Sequence, residues 1–140
     1  GLYPVEDSIS SALIDQFIDF VTDLTNLVYI PSNSPLTEDE KIQHRRMLSE
    51  GELKRKLEML EDNISSNQTW MVGKEMTIAD IAIWRGIGWL ASDLVAGIPQ
   101  PNFVDYPKIT KIFKNVDNHP KICEWVRKTY PSNYNRGYIE

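Results

Sequence analysis

A chain of 140 residues with 41% hydrophobic side chains suits one domain and can bury roughly two thirds of the surface it exposes when unfolded, so neither a metal nor a disulfide is needed to hold it together. The net charge of −5 argues against a nucleic-acid partner, because a phosphate-binding surface gathers Lys and Arg on one face, whereas here His44-Arg45-Arg46 and Lys54-Arg55-Lys56 are interleaved with Glu50, Glu52, Glu58 and Glu61. No apolar run is long enough to span a bilayer, the lone Cys123 excludes an internal disulfide, and without a basic, apolar leader the expected setting is the cytoplasm, where the sequons Asn63-Ile-Ser65 and Asn67-Gln-Thr69 are chance matches.

From Asp7 onward, Ile9, Leu13, Phe17, Phe20, Val21, Leu24, Leu27 and Val28 recur at three- and four-residue steps. That period predicts an amphipathic helix, ended by Pro31 and the polar turn Ser32-Asn33-Ser34-Pro35. On it Asp15, Asp19 and Asp23 form one acidic ridge. Like charges at this spacing cost an isolated helix about 0.2–0.5 kcal/mol per pair, so the ridge suggests a cation opposite it. The plainer reading is a row of solvated or Arg-paired carboxylates. Tyr29, at the end of this helix, reads equally as pocket lining or as ordinary aromatic packing.

Thr37 and Glu40 then form a capping box that opens a long charged helix through Met47, Leu48, Leu53, Leu57 and Leu60. Gly51 interrupts it at a cost of about 1 kcal/mol relative to Ala, which leaves room for a bend.

In "TWMVGKEMTIADIAIW", Thr69 to Trp84, a short apolar turn leads into a third helix, expected to start at Thr77, run to about Ala96 and close on Gly97 and Pro99. Thr77 and Asp80 make a Thr-x-x-Asp box among Ile78, Ala79, Ile81, Ala82, Ile83 and Trp84, so this box is expected inside the protein. Its loss is expected to cost more than the ~0.5–2 kcal/mol of an exposed cap, because the orphaned donors would have no water to turn to. Ala82, Arg85, Gly86 and Trp89 share one face of the same helix. Small groups at 82 and 86 leave room for a ligand beside Trp89, and Arg85 could meet an anionic group there. The competing reading is that Gly86 and Gly88 allow close helix packing and that Trp84 and Trp89 are core.

Pro107 suits the first turn of a fourth helix carrying Ile109, Ile112, Phe113 and Val116, and Pro120 opens a last helix with Ile122, Cys123, Trp125 and Val126, stopped by Pro131. Cys123 falls on the apolar side, which favours a buried inert thiol over a nucleophile. His44 and His119 lack a second ligand at metal spacing, so no metal site is expected, and His119 reads as a turn or capping residue. The tail "SNYNRGYIE" has no period and is expected to be mobile. Five or so helices without an alternating strand predict an all-α bundle, one domain over residues 1–140.

Three stretches resemble the C-terminal domain of the cytosolic glutathione transferases, nearest in pattern to their sigma-like or pi-like classes. "TWMVGKEMTIADIAIW" is similar to the family's turn and buried Ser/Thr-x-x-Asp box, "GLYPVEDSISSALIDQFIDFVTDL" to its linker and first acidic helix, and "YPKITKIFKNVDNHPKICEWVRK" to its closing helix pair. The resemblance implies a parent enzyme that joins the glutathione thiolate to a small hydrophobic electrophile, for detoxification, as a homodimer. The family's N-terminal thioredoxin-like domain, which activates the thiol, is a missing partner here, so no residue of this chain is assigned a catalytic role and Tyr3 belongs to the linker. By the same resemblance Asp23 would reach across the dimer to the γ-glutamyl ammonium of glutathione, and Tyr29, Ala82, Arg85, Gly86 and Trp89 would line the electrophile pocket. The alternatives are a non-enzymatic protein–protein interaction module of a translation or tRNA synthetase assembly, and a stand-alone helical domain that binds small apolar ligands.

Overall fold

Asp7 begins the first helix, its carboxylate accepting from the N–H groups of Ile9 at 3.2 Å and Ser10 at 3.1 Å. In the computed structural model, which describes residues 1–92, 94–99 and 103–137, this helix is α1, Ser8–Val28. The Thr37–Glu40 capping box opens α2, Glu38–Glu50. Gly51 does more than bend the chain: at φ −116° and ψ −100° it leaves the helical region, and α3, Glu52–Asn63, starts anew. The single long charged helix expected from the sequence is therefore two.

Helix α4, Ile78–Leu90, is the centre of the molecule. Ala79, Ile83, Trp84, Ile87 and Leu90 are all buried, so it is apolar nearly all round. α1 covers one side with Ile14, Leu24 and Val28, and α5, Pro107–Asp117, covers another with Ile109, Ile112, Phe113 and Val116. Each such side chain contributes about 1.5–3 kcal/mol by leaving water. α3 adds Leu53, Leu57 and Leu60, and α6, Pro120–Thr129, closes the bundle through Ile122. A short 3-10 turn, Phe103–Asp105, precedes α5. Among the described residues the fold is all-α.

Helix α4 stops at Leu90, short of the expected Ala96. Beyond it Ser92 turns the chain, its N–H and hydroxyl both donating to the Trp89 carbonyl, at 3.2 and 2.7 Å; Asp93 lies outside the described residues. Arg45 of α2 donates to the carbonyls of Val28 and Ala96, at 3.3 and 3.1 Å, and so ties the end of α1 to this loop. Gly97, at φ 92°, lets the loop press on α2: a Cβ there would lie 2.6 Å from the Ile42 carbonyl oxygen.

The start of α5 is satisfied from a distance. Pro107 has no N–H to satisfy, and the next two donors, Lys108 and Ile109, both give to the buried Glu61 of α3 at 2.9 Å. The tail, expected to be mobile, is pinned as far as Gly137, where its backbone crosses α4 at Gly88; residues 138–140 lie outside the described residues. A Cβ on Gly88 would sit 2.7 Å from the Arg136 carbonyl oxygen, so glycine permits this crossing.

Candidate functional site

The core-facing side of α1 leaves Asp15, Asp19 and Asp23 exposed on its flank, where they overlook a groove of about 600 Å³ between α1 and α3. Its floor is apolar, formed by Phe17, Phe20, Met59 and Leu60. The three carboxylates are not equivalent. Asp15 accepts from the Tyr3 hydroxyl, with its two oxygens at 3.0 and 2.9 Å. That hydrogen bond is the main reason the Tyr3 pKa is raised, the opposite of what a thiol-activating tyrosine requires. Asp19 and Asp23 make no hydrogen bond or ion pair among the described residues. The aromatic floor was readable in principle, since Phe17 and Phe20 flank Asp19 on the same helix, but nothing in the sequence pairs them with Met59.

The capping box at the head of α4 is inside the protein. Asp80 is fully buried, and its Oδ2 accepts from the Thr77 N–H at 2.7 Å and the Thr77 hydroxyl at 2.8 Å. Oδ1 accepts from the N–H of Met71 at 2.6 Å, so one carboxylate fastens both the helix start and the preceding turn. Burial raises the Asp80 pKa despite these bonds, which act in the opposite direction. The Leu2 carbonyl accepts from the Ile78 N–H at 3.0 Å, adding the chain's first residues to the same junction.

The α4 face expected to line a pocket is engaged elsewhere. Gly86 is buried against α1, and a Cβ there would lie 2.9 Å from Cγ1 of Val21. The missing side chain is thus filled by α1 packing and leaves no space for a ligand. Arg85 donates to the Arg136 carbonyl at 3.3 Å, with its guanidinium 5.8 Å from the centroid of the Trp84 ring. It holds the tail. Ala82 and Trp89 are half-buried beside these contacts, and Tyr29 caps the end of α1 through its backbone while its side chain stands 59% exposed. None of these five residues is among those that line the α1–α3 groove.

A polar cluster missed in the sequence joins α4, α5 and the tail. Asp117 accepts from the Trp84 indole N–H at 3.0 Å and pairs with Arg136, whose guanidinium lies 5.6 Å from the Trp84 ring centroid. Cys123 is half-buried and gives its S–H to the Asp117 carbonyl at 3.1 Å. His119 occupies the N-cap position of α6 but its side chain caps nothing; the ring packs edge-on against Trp70, centroids 6.4 Å apart. Among the described residues no three His, Cys, Asp or Glu side chains converge as a metal site, and no helix is long and apolar enough to cross a membrane.

The family model described as glutathione S-transferase, C-terminal domain, matches residues 19–129. Among solved structures the fold is similar to that of rat hPGDS complexed with a quinoline, with a TM-score of 0.74, 18% sequence identity and 91% of this chain covered. The match takes in 60% of that chain, so the present sequence spans well under the length of this neighbour. No curated protein matches the chain.

Proposed function

The chain belongs to the glutathione S-transferase C-terminal domain family, and on that footing we propose that it forms the helical half of an enzyme conjugating glutathione to a small hydrophobic electrophile. The parent works as a homodimer, with the thiol activated by a thioredoxin-like domain outside this sequence. The present domain supplies the wall of the α1–α3 groove and the carboxylate of Asp23, which receives the γ-glutamyl ammonium of glutathione held by the other protomer. The observation that carries this reading is the pair of free carboxylates, Asp19 and Asp23, at the edge of an apolar groove. With its partners already supplied by Tyr3, Asp15 has less to offer a ligand.

The pocket expected on α4 plays a smaller part in this reading. Gly86 lets α1 approach, and Tyr29, Ala82, Arg85 and Trp89 stay outside the groove. The test is conjugation kinetics on the longer gene product carrying a thioredoxin-like domain. Activity toward an aryl halide, with the glutathione KM raised severalfold by Asp23→Asn and kcat little changed, supports the proposal. No conjugation, or an unchanged KM, overturns it in favour of a binding module.

A further inference from the structure

We propose that the tail from Pro131 to Gly137 is a releasable strap, an autoinhibitory contact that covers α4 between Arg85 and Gly88 and lifts as a unit while the helical bundle stays folded. Its hold on the bundle is mainly polar. The Arg136 guanidinium pairs with Asp117 at the end of α5 and lies over the Trp84 ring, and the Arg136 carbonyl accepts from Arg85 at 3.3 Å. At Gly137 the contact with α4 is backbone on backbone, against Gly88, so the crossing buries no side chain. Tyr134 adds one apolar hold, its ring stacked on Tyr130 with centroids 4.7 Å apart. None of residues 131–137 belongs to the buried apolar core, and Pro131, Ser132 and Asn133 are exposed.

The strap is not packed down on α6. A cavity of about 400 Å³ lies between them, lined by Cys123 and Val126 of α6, by Tyr130 at its end, and by Pro131, Tyr134 and Arg136 of the strap. Walls that face a cavity forgo the dispersion contacts of close packing, so the strap lacks the anchorage that fixes the helices. Segments with few buried apolar contacts open at a much lower free energy than the core. The ion pair suits such a latch. Its side chains are 10% and 20% exposed when closed, and on lifting both recover hydration, which offsets much of the attraction lost. Lifting also bares the Trp84 ring and frees Arg85 from the Arg136 carbonyl, so this surface of α4 is open to another group only when the strap is up.

Cys123, the sole cysteine, reports on the opening because it lines the cavity beneath the strap. The experiment labels the 140-residue chain with iodoacetamide, small enough to enter the cavity, and with a bulky fluorescein maleimide that needs the strap raised, each rate taken relative to the unfolded chain. In the natural chain the maleimide is expected to be much the slower of the two, at a rate nearly flat in low urea, as a local opening requires. Arg136→Gln is expected to quicken the maleimide about tenfold and Tyr134→Ala about threefold, while the amides of Ile14 and Ile112 in the core stay protected from hydrogen exchange. Maleimide labelling as fast as iodoacetamide in the natural chain, labelling that rises with urea as steeply as global unfolding, or no change in either variant each overturn the proposal. Unfolding of the bundle by both substitutions overturns it too, since the tail would then be an integral part of the core.

Discussion

Asp80 and Met71 are nine residues apart in sequence, both are buried, and the carboxylate of one holds the N–H of the other at 2.6 Å. That bond makes the turn before α4 and the helix itself one unit, because the second oxygen of the same carboxylate is engaged by Thr77.

Asp80→Ala is therefore expected to destabilise the protein by about 2–4 kcal/mol, since at least two buried N–H donors lose their acceptor at once. Chemical denaturation checks this. A loss under about half a kcal/mol would falsify the anchoring role of the buried box.

The pH dependence of Asp80 runs against that of the exposed caps. Burial raises its pKa in the folded chain, so its favourable contribution is complete below the unfolded carboxylate pKa and is lost as pH rises through the folded value. For Glu40 the backbone and hydroxyl of Thr37 lower the pKa, so that contribution is present above the unfolded value and is lost as pH falls through the folded one. Carboxyl NMR titration is expected to place Asp80 above the ordinary Asp range and Glu40 below the ordinary Glu range. The stability of the natural chain relative to Asp80→Asn should rise on acidification from neutrality toward pH about 4.

Gly86→Ala should cost about 0.5–2 kcal/mol, because overpacking against the stiff Val21 outweighs the gain in helix propensity. Combining it with Val21→Ala should recover much of the loss. Thermal melts of the two single variants and the pair form the cycle, and simple additivity would mean that the two residues do not meet.

Glu61→Ala is expected to destabilise by about 2 kcal/mol, since the first donors of α5 lose a partner supplied from another helix. Hydrogen exchange should quicken first at Lys108 and Ile109, and unchanged protection there would contradict the assignment.

Local chemistry made much of this architecture legible. Asp7, Thr37, Thr77, Pro107 and Pro120 announce helix starts within a few residues of themselves, because a cap or a missing N–H acts on its own turn. Gly51 was visible as a weak point, though not as a full break. Glu61 was invisible, since it looks like one more surface charge on a charged helix until α5 is laid against it. The partners of Arg85 and Gly86 were hidden for the same reason: the helical period puts them on a face but is silent about which neighbour claims that face. The acidic ridge of α1 was legible as a pattern, whereas its division into an occupied Asp15 and free Asp19 and Asp23 depends on Tyr3 folding back from outside the helix.

The crossing of Gly137 over Gly88 has a consequence for how the protein is made. The central helix is synthesised well before the strand of tail that seals it, and that tail cannot reach its seat while it is still inside the ribosomal exit tunnel. Until that stretch has emerged, the Trp84 ring and Asp117 lack their Arg136 partner, so the nascent chain holds an unfinished core. A chain cut before Arg136 would then carry a core defect and not merely a trimmed surface.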